Sequence, residues 1–254
     1  MSKEEPKVYP YLTVEEMRRR KDLVEDLPPE EGAGKRFAGS TVPELALKYF
    51  RQDQKILECG PVFGEFTKFM LGEGYRDYHA LDFVDMLYFP DRPKFTFHEI
   101  DFNKDAMPYQ DRTFDGVTAW GVAEHMENPF HFAREVWRVL KPGGVFLFSL
   151  PNIHHLSSRM GFLKSGVFPR WNLKSVHISM LPRGVIEKTI FRYFDVERIV
   201  YTQPGTIVTK KPKLSIRHFF DKISAKVLPA NDLFGNYIAY VLRRKEKYDP
   251  PLYS

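Results

Sequence analysis

Three acidic side chains stand at the ends of three successive apolar segments, and two glycines follow the first of them. Glu58 is the next-to-last residue of KILEC and precedes Gly60 and Gly64, where a backbone without Cβ can turn tightly and approach a ligand. Asp82 is the next-to-last residue of HALDF, 24 positions after Glu58, and Asp101 ends FHEID. The carboxylate of Glu58 could attract an amine. Asp82 could accept hydrogen bonds from both hydroxyls of a ribose, and Asp101 could accept one from the amine of an adenine. The pattern indicates an adenosine-containing ligand that carries an amine.

The loop after Glu58 differs from the fingerprint of dinucleotide-binding proteins. That fingerprint, G-x-G-x-x-G, leaves a helix N-terminus free for pyrophosphate, whereas this chain has G-x-x-x-G with Val62 in the middle. A carboxylate as near as Glu58 is a poor neighbour for a diphosphate. Because no Tyr-x-x-x-Lys pair stands at a plausible place either, a nucleotide-dependent oxidoreductase or epimerase is disfavoured. The alternative interpretation of the loop is a plain strand-to-helix turn.

Histidines supply the candidate proton acceptor. Glu124-His125 follow the fourth strand-like segment, and an unperturbed imidazole titrates near neutral pH, so His125 is the first candidate for a general base. The alternative is that His125 caps or packs the local helix. His154, His155 and His177 could face an acceptor pocket, but their spacing matches no fixed ligand pattern, so no metal site is predicted.

The elements that must position these residues alternate between strand and helix from residue 41 to 203. Strands are predicted at 55–59, 77–83, 94–100, 114–120, 144–150 and 195–203, and helices at 41–52, 127–140 and 182–193. Alternation at this spacing predicts an α/β fold with a Rossmann-like, doubly wound sheet and helices on both faces. The sheet is expected to be mostly parallel, with a late strand at 236–244 closing it as an antiparallel edge.

Composition excludes several classes of protein. The 254 residues are 43% hydrophobic and 15% aromatic, which favours a folded chain over a disordered one. No run of about 18 apolar residues is present, so no membrane span is predicted. The N-terminus lacks the apolar core of a signal peptide, and Cys59 is the single cysteine, which excludes an intramolecular disulfide and a cysteine-based zinc site. A cytoplasmic location is therefore expected.

The net charge of +5 is concentrated late in the chain, since residues 204–254 hold 10 basic and 4 acidic side chains. We divide the chain into a polar arm with a short helix (1–40), a core (41–203), and a basic helical segment with the closing strand (204–254). Apolar residues at helical spacing within 209–228 predict a helix that covers the active site, with contact to an anionic membrane surface as the alternative. No nucleic-acid-binding module is evident, so nucleic acid is not expected as a partner.

The stretches ILECGPVFGEF, ALDF and EIDFN and the run from Phe114 to Asn152 resemble, in this order, the motifs of class I S-adenosylmethionine-dependent methyltransferases. The likeness covers about residues 41–203 and, with the late strand, extends to 244. It is closest to the small-molecule branch that includes ubiquinone, sugar and polyketide O-methyltransferases. Val62 stands where this family often has glycine, and Gly121 replaces the first acid of an E-x-x-E-H pattern with which some quinone-type relatives bind a divalent metal.

The resemblance implies S-adenosylmethionine as the cofactor and assigns residues to its parts. They are Glu58, Gly60 and Gly64 for the methionine portion, Asp82 for the ribose, Phe83, Asp101 and Phe102 for the adenine, and Ala119 and Trp120 for the wall of the site after the fourth strand. The reaction implied is methyl transfer to a small or glycan-like acceptor at oxygen. The alternatives are a catalytically silent cofactor-binding partner subunit and a methyltransferase acting on RNA or protein.

A long connection at residues 151–181 is predicted to form a lid beside the acceptor. Phe168 and Trp171 could stack on a ring, while Arg159, Arg170 and Lys174 could hold a phosphate or carboxylate. These side chains favour an anionic acceptor, and the alternative is that the aromatic residues merely pack the connection down. The sequence predicts no oligomeric state.

Overall fold

The computed structural model describes residues 41–89, 94–173, 175–201 and 231–250. The predicted N-terminal arm (1–40), the predicted basic helix at 209–228 and the side chain of Lys174 lie outside the described residues.

Twelve helices and strands make up the described part of the chain. In chain order they are α1 (Thr41–Tyr49), β1 (Ile56–Cys59), α2 (Glu65–Gly72), β2 (Tyr78–Asp82), β3 (Thr96–Glu99), β4 (Phe114–Trp120), α3 (Pro129–Val139), β5 (Leu140–Pro151), α4 (Leu156–Ser165), α5 (Arg183–Lys188), β6 (Phe194–Tyr201) and β7 (Tyr237–Arg244). Short 3-10 turns stand at Ala123–His125, Pro169–Trp171 and Ile190–Arg192.

The seven strands form one sheet in the order β3-β2-β1-β4-β5-β7-β6. Strands β1 to β5 pair in parallel, and β7 is antiparallel to both of its neighbours. The predicted α/β fold with a mostly parallel sheet and a late antiparallel strand is confirmed.

The predicted place of the late strand was wrong, because β7 lies between β5 and β6 instead of closing the edge. Ile238 to Val241 are all buried, so both faces of β7 are covered, as is typical of a strand in the interior of a sheet, and its backbone pairs with β5 and β6 on its two sides. In β6, by contrast, Asp195 to Arg198 are exposed, which suits an edge strand.

Helices cover both faces of the sheet, as the alternation predicts. On one face, Phe132, Val136 and Val139 of α3 pack in one core cluster with Phe146 and Phe148 of β5. On the other face, α1 and α2 contribute to a second cluster. Helices therefore cover both faces of the sheet with apolar side chains. The loops at the ends of the strands are the parts left to carry function.

Two element boundaries differ from the prediction. β5 begins at Leu140, where we expected the last residue of a helix, because Phe114 of β4 already pairs with Leu140 and the strand runs through the Lys-Pro-Gly-Gly sequence. The helix expected at 182–193 is divided into α5 and the 3-10 turn that follows it. Within the described ranges, no helix is both long and apolar enough to cross a membrane.

The connection at 151–181 is ordered around α4 and folds back onto the turn after β4. The backbone N–H groups of Ile178 and Ser179 both donate to the carbonyl of Glu124, at 2.9 and 3.0 Å. The indole N–H of Trp171 donates to the carbonyl of Ser179 at 3.0 Å, which fixes the middle of the connection to its end. The connection is thereby held against the carboxyl edge of the sheet.

Candidate active site

The strand ends converge because β1, β2 and β4 are parallel and in register. Cys59, the last residue of β1, pairs with Leu81 of β2 and with Ala119 of β4. The side chains that follow these positions therefore lie at one edge of the sheet, as the sequence predicts for ligand binding at carboxyl ends. The backbone N–H of Gly60 donates to the carbonyl of Leu81 at 2.8 Å and holds the loop after β1 against β2.

Both glycines of this loop have left-handed backbone conformations. Gly60 has φ +73°, and a Cβ placed there would lie 2.6 Å from Val122 Cγ2. Gly64 has φ +80°, and its Cβ would lie 2.6 Å from Phe89 Cζ. The loop thus needs glycine for its conformation and for its close packing against the turn after β4 and the segment after β2. Val62, between them, has φ 53°, a strained conformation for a β-branched residue.

Asp82 fastens the loop to the end of β2. Its Oδ2 accepts from the backbone N–H of Val62 at 3.0 Å, and its Oδ1 accepts from the backbone N–H of Phe83 at 2.7 Å. Burial raises the pKa of Asp82 to about 6, against the opposing effect of these two hydrogen bonds. A carboxylate has about four lone-pair sites, so two neighbouring hydroxyls could still donate to it.

Glu58 is turned into the protein interior. It is 3% exposed and accepts from the Thr67 hydroxyl at 2.5 Å and from the Tyr78 hydroxyl at 2.9 Å. Burial raises its pKa to about 7. The carboxyl group therefore ties α2 and β2 to β1, and the contact with the methionine portion of a cofactor stays a prediction.

Asp101 and Phe102, the expected adenine contacts, have partners within the protein. Asp101 accepts from the backbone N–H of Asn103 at 3.0 Å and pairs with Lys104 at 3.3 Å. Phe102 is 6% exposed and packs edge-on against Phe132, with ring centroids 5.3 Å apart. Its ring is a core side chain that offers little surface for stacking, and an adenine contact by either residue remains a prediction.

The remaining predicted cofactor residues line the same edge. Ala119 is buried at the end of β4, and Trp120 packs against Phe66 with centroids 6.0 Å apart. The indole N–H of Trp120 is buried and finds no hydrogen-bond partner among the described residues. Phe83 is half-buried beside Asp82. A buried donor without a partner is costly, so this N–H is available to a bound molecule or a water.

Glu124, His125 and His177 form a cluster beside the turn that follows β4, and we call it the EHH cluster. One potential ligand atom from each residue lies within 4.8 Å of the other two, and the imidazole centroids of His125 and His177 are 4.8 Å apart. His125 Nδ1 is 3.2 Å from the carbonyl of Val176, which can only accept, so Nδ1 is the donor there, and in the neutral ring the lone pair lies on Nε2. The sequence singled out His125 alone as catalytic.

Burial perturbs two members of the EHH cluster in opposite directions. Glu124 is 2% exposed, and burial raises its pKa to about 8. The pKa of His177 is lowered to about 4 by burial and then by the charges of His125 and Arg170. Both side chains are therefore uncharged near neutral pH, because a low-dielectric site penalises either charge. His177 arrives from the distant connection, and no local sequence signal could have placed it beside Glu124.

The other two predicted histidines lie outside the EHH cluster. His155 caps α4, where its Nδ1 accepts from the backbone N–H of Ser157 at 3.1 Å. His154 lines a separate cleft with Tyr201 and Asp232, and its Nε2 has no hydrogen-bond partner in the described part of the chain.

Comparison with known proteins identifies the family. A family model described as a methyltransferase domain matches residues 31–193. An uncharacterized protein of Methanocaldococcus jannaschii is 28% identical over 163 residues, which cover 56% of this chain and 59% of that protein. A probable S-adenosylmethionine-dependent methyltransferase of Mycolicibacterium smegmatis is 46% identical over 46 residues, 18% of each chain. The chain therefore spans less than two thirds of the length of both relatives.

One solved structure resembles the whole architecture. It is a complex between the Haloferax volcanii Trm112 methyltransferase activator and a putative methyltransferase. The matched chain is 15% identical, with a TM-score of 0.59, and the match covers 93% of this chain and 97% of that one. At this identity the likeness concerns the fold alone, and it agrees with the sheet described above.

Proposed function

The chain belongs to the methyltransferase-domain family, in its S-adenosylmethionine-dependent class, and from that premise we propose that it transfers a methyl group to an oxygen of a small or glycan-like acceptor. The observation that carries the proposal is the place of Asp82. Its carboxylate stands at the end of β2 and holds the loop between Gly60 and Gly64 through Val62. The ribose of a nucleoside cofactor would lie against this carboxylate.

The residues at this edge fit S-adenosylmethionine. Asp82 supplies lone pairs for the two ribose hydroxyls, and the buried indole N–H of Trp120 is an unused donor at the end of β4. The loop lacks the G-x-G-x-x-G fingerprint for pyrophosphate, a group that this cofactor does not contain. When bound, the cofactor supplies an activated methyl group on a positively charged sulfur.

What remains for the protein is alignment of the acceptor and removal of its proton. When bound, the cofactor would supply the methyl carbon to the acceptor oxygen and its sulfur would retain the electron pair of the former carbon–sulfur bond, so the acceptor proton would need a group to receive it. The EHH cluster lies next to the cofactor loop, because Val122, two residues before Glu124, is the neighbour that a Cβ on Gly60 would strike. We propose that the loss of this proton depends on His125.

The side chains of the 151–181 connection support an anionic acceptor with an aromatic or sugar ring. Arg170 stacks over the ring of Tyr237, with its guanidinium carbon 4.5 Å from the centroid, and its charge acts on Glu124 and His177. The Trp171 ring lies 5.4 Å from that of His177. A cation and an indole beside the EHH cluster suit a carboxylate or phosphate on a ring-containing acceptor.

Isothermal titration calorimetry with S-adenosylmethionine and its demethylated product tests the cofactor half of the proposal. We expect both to bind the wild-type protein and to bind Asp82→Asn more weakly, while Asp53→Asn, an exposed acid paired with Arg51 at 3.0 Å, binds as the wild type does. Absence of binding by the folded wild-type protein would overturn it.

The acceptor half is tested by product formation over a panel of hydroxylated aromatic acids and sugar phosphates. Turnover is followed by release of the demethylated cofactor and by the mass of the acceptor. Because the Haloferax volcanii protein was solved with an activator, each reaction is run with and without cell extract, which separates an enzyme that needs a partner from a silent subunit. Cofactor binding without turnover under every condition favours the silent subunit, and methylation of RNA or protein in the extract contradicts the small acceptor.

A further inference from the structure

Two polar atoms of the EHH cluster are buried without partners. Within the described residues, Glu124 Oε2 and His177 Nδ1 each make no hydrogen bond, although both lie in the interior. Glu124 is 2% exposed, so its free oxygen bears the full cost of a desolvated acceptor. Native structures rarely leave such atoms unsatisfied, and two in one cluster indicate a bound species that the protein side chains do not supply.

The spacing of the cluster suits a cation. One ligand atom from each of the three residues lies within 4.8 Å of the others. A transition-metal ion holds nitrogen and oxygen ligands at about 2.0–2.2 Å, so opposed ligands stand about 4 Å apart and neighbouring ones about 3.3 Å. The bound of 4.8 Å on the separations in the cluster exceeds the larger of these spacings by less than about 1 Å.

We propose that Glu124, His125 and His177 bind one divalent transition-metal ion, Zn²⁺ by the nature of the donors. Two imidazoles and one carboxylate form a set that zinc takes in open sites, with a fourth position for water or substrate. The contact of His125 Nδ1 with the Val176 carbonyl provides the outer hydrogen bond that orients a metal-binding imidazole.

The proposed ion joins two parts of the chain. Glu124 and His125 belong to the 3-10 turn after β4, whereas His177 belongs to the 151–181 connection. The ion would cross-link the connection to the sheet and leave its fourth position at the acceptor side. This part rests on the proposed function: an acceptor hydroxyl in that position would lose its proton at the metal, and His125 would serve as a ligand instead of as the base itself.

The proposal also predicts that a change at Arg170 strengthens metal binding, whereas a change at a ligand weakens it. Its charge acts on both Glu124 and His177, and it repels a cation in the cluster. Removing that charge in Arg170→Gln is expected to tighten zinc binding several-fold, whereas loss of a ligand weakens it.

The test is metal binding by the chelator-treated, full-length protein, measured without any turnover. Zinc stoichiometry is obtained by mass spectrometry of the metal after reloading, and Kd by competition with a zinc indicator; Co²⁺ reports histidine ligation through its visible absorption. We expect one ion per chain and a loss of at least about 100-fold in affinity for Glu124→Gln and His177→Asn, since even outer partners of metal sites contribute 10–100-fold.

His154→Asn is the matched control, because His154 also has a buried nitrogen without a partner among the described residues but lies outside the cluster. Its zinc binding should equal that of the wild type. Circular dichroism and thermal melts establish that each variant folds, and Glu124→Gln preserves the size of the side chain. The proposal is overturned if the folded wild type binds no zinc, or if the ligand variants bind as tightly as His154→Asn; a water then bridges the two atoms. Calorimetry with S-adenosylmethionine on the same samples keeps failure of the metal site apart from failure of the proposed function.

Discussion

The carboxylate of Asp82 accepts a hydrogen bond from the backbone N–H of Val62 at 3.0 Å, so the end of β2 holds the middle of the loop that follows β1. The same carboxylate accepts from Phe83 at 2.7 Å. One side chain thus positions the loop expected against the methionine portion of the cofactor and the residue expected beside its adenine. Val62 and Phe83 are thus both held by a single acid.

Replacing that acid should weaken cofactor binding more than it weakens the fold. In Asp82→Asn one oxygen can still accept from Val62, but the charge that strengthens hydrogen bonds from ribose hydroxyls is gone. Bonds to charged groups contribute about 1.5–3 kcal/mol, so we expect an affinity about 10- to 100-fold lower by calorimetry. A thermal melt within a few degrees of the wild type would accompany it. Equal affinities for the two proteins would show that Asp82 does not contact the cofactor.

Cofactor affinity should also depend on pH through Asp82. Burial raises the pKa of this carboxyl to about 6, so it is largely protonated at pH 5 and ionised at pH 8. Since the ionised form is the better acceptor, Kd for S-adenosylmethionine should be constant above about pH 7 and rise below pH 6 by at most about tenfold per pH unit. Calorimetry from pH 5 to 8 measures this. Asp82→Asn should lack the dependence, and an identical profile in that variant would assign it to another group.

Glu58 should make the protein less stable as the pH rises. Its pKa is about 7 in the folded protein against an ordinary value of 4.5, so between these values the folded state binds more protons than the unfolded state, and the free energy of unfolding falls. This decrease in the free energy of unfolding levels off about one pH unit above the folded pKa and amounts to about 3 kcal/mol.

Glu58→Gln keeps an oxygen that can accept from Thr67 and Tyr78 but cannot ionise. Urea unfolding at pH 4.5 and pH 8 should therefore give a smaller decrease for this variant than for the wild type. The contribution of Asp82 is common to both proteins and cancels in the comparison. A decrease of equal size in the two proteins would mean that Glu58 is not the group that titrates.

Gly60, in the loop after β1, lies close to Val122, which precedes the Glu124 and His125 of the EHH cluster. A Cβ in Gly60→Ala would meet Val122 Cγ2 at 2.6 Å and displace the turn that carries Glu124 and His125. We expect Gly60→Ala to lower both cofactor affinity and turnover by tenfold or more, and Gly60→Ala/Val122→Ala to recover part of both because the second change restores the space.

Gly143→Ala separates backbone strain from this clash. Gly143 also has positive φ, +71°, but nothing lies within 4 Å of its would-be Cβ. The Gly143→Ala substitution should lower the free energy of unfolding by about 1–2 kcal/mol and leave cofactor affinity unchanged. If the double variant binds no better than Gly60→Ala, strain and not contact with Val122 explains the loss.

The sequence could predict what depends on local pattern and strand direction. The ends of β1 and β2 meet because parallel strands in register end together, and that much follows from alternating elements. The turn of the Glu58 side chain into the interior, by contrast, depends on its hydrogen bonds to Thr67 and Tyr78. The orientation of Phe102 into the core is decided by its packing against Phe132, which no spacing reveals. The meeting of Glu124 with His177 depends on how the 151–181 connection folds back, through hydrogen bonds of Ile178 and Ser179 to the Glu124 carbonyl, and local periodicity carries no information about such distant contacts.

Val62 offers a stabilising substitution. Its φ of 53° places a β-branched side chain in the left-handed region, where strain costs of order 1–3 kcal/mol, and the side chain is 38% exposed, so it loses little by removal. Glycine adopts this conformation freely but costs about 0.5–1 kcal/mol in chain entropy, so Val62→Gly should raise the free energy of unfolding by about 1 kcal/mol in urea titrations. Cofactor affinity should stay within about twofold, since the hydrogen bond to Asp82 comes from the backbone N–H of Val62, which glycine retains.

Arg112→Gly is the control, because Arg112 has φ 57° but no branched Cβ. Its free energy of unfolding should rise by less than that of Val62→Gly. Destabilisation by Val62→Gly would instead show that packing of the valine outweighs its strain.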